Sequence, residues 1–327
     1  MASAHSIVWQ RATVIGSAEL TPAIRRIVMR PQHPVPAPPG SHLDVRMRIG
    51  TETVTRSYSI VDSESAGAAL AISVFDSEAS RGGAAVMHAL REGDVIEVTQ
   101  PLQDFPLRLG APTYTLLAGG VGITAITGMA SALAAAGAEY RIVYCGRERR
   151  QMAYLGDLEA DHGDRLQVHV REEGTSLDVI ALVESIAPEG ELYMCGPIRL
   201  MDAVRRAWIA RGHAPSRLRF ETFGNSGWFA PEAFTVRVPA LGLETVVPTS
   251  STLLEALESA GADALFDCRK GECGLCEARV IDLEGVIDHR DVFYSERQRD
   301  ASSRICVCVS RVCAPAGGAR EITLELS

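Results

Sequence analysis

Residues 115–128 read TLLAGGVGITAITG, an apolar run that enters a glycine-rich turn and leaves it as a helix-favouring run. Bare backbone at Gly119, Gly120 and Gly122 would let a pyrophosphate approach the N–H groups of the helix start. The spacing is not Gly-x-Gly-x-x-Gly, so the ordinary dinucleotide fingerprint does not apply directly. The surroundings carry the same rhythm. YRIVYCG (140–146), LQVHVRE (166–172) and ELYMCG (191–196) read as buried strands. TAITGMASALAAAG (124–137), SLDVIALVESIA (176–187) and PIRLMDAVRRAWIARG (197–212) read as the helices between them. Strand–helix alternation predicts a doubly wound α/β parallel sheet over residues 111–228, with ligands outside the carboxyl ends of its strands. A second strand-to-helix turn, Cys195-Gly196-Pro197, has the composition for close ligand approach followed by a helix start. Alone it would read more readily as a tight turn beside a core cysteine.

Towards the N-terminus the pattern changes. ATVIGSAEL (12–20), IRRIVMR (24–30), HLDVRMRI (42–49) and ALAISVF (69–75) are short strand candidates separated by turns such as PAPPGS (36–41). One helix-like stretch, AAVMHALREG (84–93), follows a glycine pair. Residues 1–110 are thus expected to form a small antiparallel β-barrel or sandwich. Within it, Arg56, Ser57, Tyr58 and Ser59 combine a phosphate partner, a ring that can lie on an aromatic cofactor, and hydroxyls for polar ring atoms. Gly82 and Gly83 precede the helix and would admit a phosphate. Each tetrapeptide is weak alone, since Arg and Tyr on a strand are more often ordinary surface.

Beyond residue 228, AFTVRV (233–238) and LETVVP (243–248) suggest a hairpin, STLLEALESAG (251–261) a Ser/Thr-capped helix, and EITLELS (321–327) a last strand. Between them lies CRKGECGLC (268–276), giving Cys268-x4-Cys273-x2-Cys276. That is the plant-type ferredoxin spacing for three thiolate ligands of a [2Fe–2S] cluster. Gly271 and Gly274 suit a loop that wraps inorganic sulfide and exposes N–H groups to it. The fourth thiolate would come from Cys306, Cys308 or Cys313, among which strand periodicity does not choose. Four cysteines could instead hold zinc, although zinc sites usually pair two short-spaced motifs, or could be unremarkable buried thiols. Residues 229–327 are expected to be an α+β ferredoxin-type domain.

Charge narrows the partners. The 327 residues carry a net charge of −9, which disfavours nucleic acid. Residues 229–327 hold 16 Asp and Glu against 10 Lys and Arg, six of the nine excess negative charges. An acidic module of this kind could be steered to a basic patch, or could simply be a soluble surface. No apolar run reaches the ~18 residues of a membrane span, and the first residues lack the pattern of a signal peptide. A cytoplasmic, monomeric protein without membrane association is the expectation, with its cysteines reduced rather than disulfide-bonded.

The order RxYS, GGVGIT, CGP, Cx4Cx2C resembles the phthalate dioxygenase reductase family over nearly the whole chain. DHRD (288–291), SERQR (295–299) and CVSR (308–311) look particularly like vanillate demethylase-type reductases. The resemblance implies an FMN barrel, an NAD domain and a [2Fe–2S] domain, with a Rieske-type non-haem iron oxygenase as partner. It implies that Arg56, Ser57, Tyr58 and Ser59 hold the flavin, with Gly82 and Gly83 at its phosphate. Gly119, Gly120, Gly122 and Thr124 would line the NAD site, with Cys195, Gly196 and Pro197 near the nicotinamide and Phe223 beside the flavin. It selects Cys308 as fourth ligand, in its Cys-x-Ser-Arg run, with Cys268, Cys273 and Cys276. Ala84 and Ala125 depart from the small polar residue and the proline usual in the family at those places. NADH is expected over NADPH, although Arg147, Arg149 and Arg150 follow the second strand of the NAD domain, where a 2′-phosphate could be read. No protein acid or base is needed for hydride transfer, so none is assigned, and His88 and His289 read as structural. The rival functions are a reductase serving another acceptor and, in a different class, a zinc-stabilised interaction module.

Overall fold

A computed structural model describes residues 7–76, 82–223, 227–315 and 317–326. Contacts divide the chain into two compact units, one of residues 1–196 and 203–221, the other of 197–202 and 222–327.

The first unit begins with strands β1 (Trp9–Thr21), β2 (Ile24–Pro31), β3 (Ser41–Ile49), β4 (Glu52–Ser63), β5 (Leu70–Phe75) and β6 (Val95–Thr99). Their order is β4-β5-β2-β1-β6-β3, and β3 pairs back onto β4, so the antiparallel sheet closes into a six-stranded barrel. Closure removes the sheet edges that would otherwise invite association. Alternation fills the interior. Ala12 and Val14 of β1, Leu43, Val45 and Met47 of β3, and Ile72 and Val74 of β5 share one buried core. Helix α1 (Gly83–Ala89) follows β5, and the two-residue strand β7 (Leu102–Gln103) extends the sheet beside β3. His88 Nε2 donates to the Val74 carbonyl at 2.9 Å.

The same unit continues with β8 (Tyr114–Gly119), α2 (Ile123–Ala135), β9 (Tyr140–Gly146), α3 (Leu155–His162), β10 (Leu166–Val170), α4 (Val179–Glu184), β11 (Glu191–Cys195), α5 (Ile198–Ala210), whose first residues count with the second unit, and β12 (Leu218–Glu221). All strand pairings are parallel, in the order β10-β9-β8-β11-β12. Every residue of β8 is buried, as its unbroken apolar run requires of a central parallel strand. The order reverses between β8 and β11, so their two following turns open side by side at the carboxyl end of the sheet, where such folds bind ligands.

The second unit holds β13 (Phe234–Val238), β14 (Leu243–Val247), α6 (Leu253–Ser259), β15 (Glu277–Glu284), β16 (Val286–Asp288), α7 (Glu296–Ala301), β17 (Arg304–Cys306), β18 (Arg311–Cys313) and β19 (Glu321–Glu325). Its main sheet runs β14-β13-β19-β15-β17, and β16 pairs with β18 in a separate two-stranded sheet. Only β13 and β19 run parallel in the main sheet. The predicted 233–248 hairpin, capped helix and final strand are all present. Thr252 caps α6 in a reciprocal box with Glu255. Val236, Leu253, Leu257, Ile305 and Ile322 anchor the core under the cysteine loop.

Candidate functional site

In the barrel, β4 presents Arg56 to Ser59 in register with Val45 to His42 of β3. The Arg56 side chain runs to the turn before α1, where a Cβ on Gly83 would stand 3.6 Å from the Arg56 Cγ. Gly82 lies at φ 86°, the left-handed region that favours glycine, and turns the chain into the helix. Sequence-distant Arg56, Gly82 and Gly83 thus converge on one spot. Ser80 and Arg81, the start of the SRGG run, lie outside the described residues. The four β4 residues do not share one environment. The Ser57 hydroxyl donates to Asp44 at 2.5 Å on the surface. Tyr58 is half-buried, and loss of water pushes its hydroxyl up to about 12, against the opposing pull of the Arg56 charge. Ser59 is buried and donates to the Glu221 carboxylate at 3.2 Å.

The two turns at the sheet's switch point are in direct contact. A Cβ on Gly122 would fall 2.2 Å from the Cys195 carbonyl oxygen, and one on Gly196 would fall 3.1 Å from the Gly119 Cα. Backbone packs on backbone, so neither position has room for a side chain. Gly120 takes φ 54° and faces open space. Thr124 is buried, and its hydroxyl donates to the Val121 carbonyl at 2.9 Å, so it braces the turn from within. Cys195 is buried beside Glu221, with which it pairs in register across β11 and β12. Pro197 is exposed at the start of α5, and its carbonyl accepts from the Leu200 and Met201 amides. Phe223 is half-buried just past β12.

Glu221 is the residue that sequence reasoning missed. It is 2% exposed, at the carboxyl end of β12, held by the Ser59 hydroxyl of the barrel. A buried acid at a strand end next to Cys195 places a hydrogen-bond acceptor where the Gly119–Gly122 and Cys195–Gly196 turns meet. An acidic residue in FETFG carried no spacing signal. Only the pairing of β12 with β11 brings it there.

In the second unit, the cysteine loop is folded around its own sulfurs. The amides of Lys270, Glu272 and Cys273 all point at the Cys268 Sγ, each at 3.4 Å. Three N–H donors on one sulfur are what an anionic thiolate requires. Gly271 and Gly274 sit at φ 76° and 75°, and a Cβ on Gly274 would strike the Phe293 ring. Cys276 and Cys308 are buried, whereas Cys273 is exposed. Cys308 lies in the turn beyond β17 and shares hydrogen bonds with both Cys268 and Cys276. Cys306, on β17 itself, meets Cys276 and Tyr294. Sharing with Cys308 brings Cys268 down to about 4, and sharing with Cys306 and Cys308 brings Cys276 down to about 3. The partner thiols are correspondingly pushed up, Cys308 by Cys268 and Cys276 and Cys306 by Cys276. The cysteines are drawn together from a loop and a facing turn. Sulfur donors, converging amides and glycine backbone together fit a two-iron, two-sulfide group.

Comparison with known proteins bears on the whole chain. Residues 238–313 match the family model of the 2Fe-2S iron-sulfur cluster binding domain. The chain is 36% identical to phenoxybenzoate dioxygenase subunit beta of Ectopseudomonas oleovorans, over 88% of this chain and 87% of that one. It is 32% identical to vanillate O-demethylase oxidoreductase of a Pseudomonas species, over 84% and 87%. A solved structure of phthalate dioxygenase reductase, described as modular for electron transfer from pyridine nucleotides to [2Fe-2S], superimposes with a TM-score of 0.74 at 29% identity. That match covers 98% of both chains. A closed barrel, a parallel sheet with two touching glycine-bearing turns, and a cysteine loop facing a fourth thiol follow one another along the chain, which belongs to the phthalate dioxygenase reductase family of oxygenase reductases.

Proposed function

We propose that this chain takes hydride from NADH onto FMN and passes single electrons through its [2Fe–2S] cluster to a Rieske-type non-haem iron oxygenase. The observation that carries the reading is the meeting of the Gly119–Gly122 and Cys195–Gly196 turns beside the Ser59–Glu221 hydrogen bond. On this reading residues 1–110 serve the flavin, 111–228 NAD and 229–327 the cluster. FMN, when bound, accepts an electron pair and releases it singly, matching a two-electron donor to a one-electron acceptor.

The chain's own residues do the positioning. Arg56, Gly82 and Gly83 would hold the flavin phosphate, and Tyr58 and Ser59 its ring. Gly119, Gly120 and Gly122 would let a pyrophosphate approach the backbone, with Thr124 fixing the turn. Cys195, Gly196 and Pro197 would border the nicotinamide, and Phe223 the flavin. Cys268, Cys273, Cys276 and Cys308 would ligate the cluster. Cys308 is preferred to Cys306 because it reaches two loop cysteines rather than one.

NADH is favoured by the company the arginines keep. Arg149 binds Glu173 through two hydrogen bonds of 2.7 and 2.9 Å, and Arg150 binds Glu148 at 2.8 Å. A 2′-phosphate would have to displace those carboxylates, whereas an acid after the second strand suits a free ribose hydroxyl. Among the described residues no helix is long and apolar enough to cross a membrane. The partner oxygenase and a monomeric, cytoplasmic protein complete the reading.

An anaerobic visible spectrum before and after NADH tests it. A flavin band with a cluster shoulder, both bleached by NADH, is the expected result. Flavin without cluster absorbance would reject the electron path, and a colourless folded protein would reject the reductase reading. Acid release of the flavin then separates FMN from FAD.

A further inference from the structure

The DHRD run at 288–291 contributes nothing to the sites above, yet its last residue is fully buried beside the cysteine loop. The Asp291 carboxylate accepts from the Tyr294 amide at 2.9 Å and from the Ser310 hydroxyl at 3.3 Å, and it faces His289 Nδ1 at 3.4 Å. The Arg299 guanidinium stands 3.9 Å from the carboxylate and donates to the Asp291 carbonyl at 2.6 Å. A second Arg299 nitrogen is anchored by Asp202 at 2.8 Å. Burial opposes ionisation here. The donors His289 and Tyr294 and the Arg299 charge outweigh it and hold the carboxyl below its usual range.

The groups that Asp291 joins belong to both halves of the thiolate cage. Ser310 is two residues beyond Cys308, and its oxygen also accepts from the Arg290 amide at 3.2 Å. On the other side, the Val292 amide donates to the Gly271 carbonyl inside the loop at 3.0 Å. A Cβ on Gly271 would lie 2.9 Å from the Asp291 Cα and 2.6 Å from Val309. Phe293 covers Gly274. One carboxylate therefore fastens the turn that carries Cys308 to the segment that closes over the Cys268–Cys276 loop.

We propose that Asp291 is a positioning residue for the [2Fe–2S] cluster: it holds the Cys308 turn and the Cys268–Cys276 loop at the separation the two irons need. This rests on the cluster reading given above. An amide in its place would turn a donor towards the Tyr294 N–H or the Ser310 hydroxyl, which need an acceptor. Outer partners of metal ligands typically govern affinity by about 10–100-fold.

The test compares wild-type holoprotein with Asp291→Asn. Iron and sulfide content, the EPR spectrum of the reduced cluster and the rate of iron release to a ferrous chelator are measured, with far-ultraviolet circular dichroism to check folding. The variant is expected to release iron about 10–100-fold faster and to show altered g-values. Unchanged release and an unchanged spectrum would overturn the proposal. If the variant does not fold, Ser310→Ala removes one of the carboxylate's donors and Ser310→Thr retains it. Faster release in the first with recovery in the second supports the role, and equal rates in both overturn it. Iron-free wild-type protein would overturn the cluster reading and this role with it. Iron-replete wild type beside an unaffected variant would overturn the role of Asp291 alone.

Discussion

At the residue scale, glycine positions that looked interchangeable in the sequence carry different demands. Gly120 needs only its left-handed backbone and has open space around it. Gly122 needs space, because any Cβ would overlap the Cys195 carbonyl and main chain has nowhere to move. Gly122→Ala should therefore push the two switch-point turns apart and slow reduction of bound flavin by NADH more than tenfold, since about 1 Å of misplacement can cost 10²-fold. Cluster content should remain at the wild-type level, because the cluster belongs to the other unit. Rapid-mixing absorbance alongside iron analysis reads both, and normal flavin reduction would remove this turn from the nucleotide site. The Ser59–Glu221 hydrogen bond makes a gentler test. A bond to a charged partner is worth about 1.5 kcal/mol, close to tenfold in rate. Ser59→Ala should thus slow reduction, measured per bound flavin, roughly tenfold. Full-speed reduction would separate Glu221 from the hydride-transfer geometry. Cys268, Cys273 and Cys276 could be nominated from spacing alone, whereas Arg56 and the glycines rest on the order of the motifs and Cys308 on the family resemblance. Glu221 and Asp291 could not, because a buried acid differs from a surface acid only in what the fold packs around it.

At the element scale, the segments that were readable are those that bury a continuous or alternating apolar face. The central strand β8 and helix α2, the barrel strands β1, β2, β3 and β5, and α6 all announce themselves this way, whereas β4 and β6 go unread. The missed elements do not. Helix α7 buries no residue and is held by a capping box between Ser295 and Gln298. Strands β16, β17 and β18 have three residues each, too few for alternation to register. Helix α3 buries Leu155, Leu158 and His162 in a run otherwise rich in acids and glycine. Capping is where element-level energetics can be measured cleanly. Thr252 accepts from the Glu255 amide at 3.0 Å while Glu255 returns the bond to the Thr252 amide at 2.8 Å. Helix α6 also receives the Val307 carbonyl at its Leu254 amide, which ties it to the residue before Cys308. Thr252→Ala should lower the stability of this unit by about 1 kcal/mol, measured by denaturant titration of cluster absorbance. A midpoint equal to that of wild type would mean that the core beneath α6 holds the helix without its cap.

At the scale of the whole molecule, charge and chemistry are divided between the segments. On the proposed reading the β-barrel and the parallel sheet take anionic, phosphate-bearing ligands, and residues 229–327 carry most of the negative excess. This segregation was readable from composition, although a surplus of acids could not distinguish a docking face from a merely soluble one. Ionic strength can distinguish them. The Debye length shortens from about 30 Å at 0.01 M salt to about 10 Å at 0.1 M, so steering of a basic acceptor protein should weaken over that range. Steady-state electron delivery from NADH to cytochrome c, a basic acceptor, should fall at least several-fold across it. Single-turnover reduction of the bound flavin at saturating NADH should stay constant, because every group in that step is already bound. Parallel decline of both rates would place the salt effect in nucleotide binding or in the internal path. Constancy of both would mean that the acidic excess on residues 229–327 does not guide the acceptor, leaving shape and apolar contact around the cysteine loop to do so.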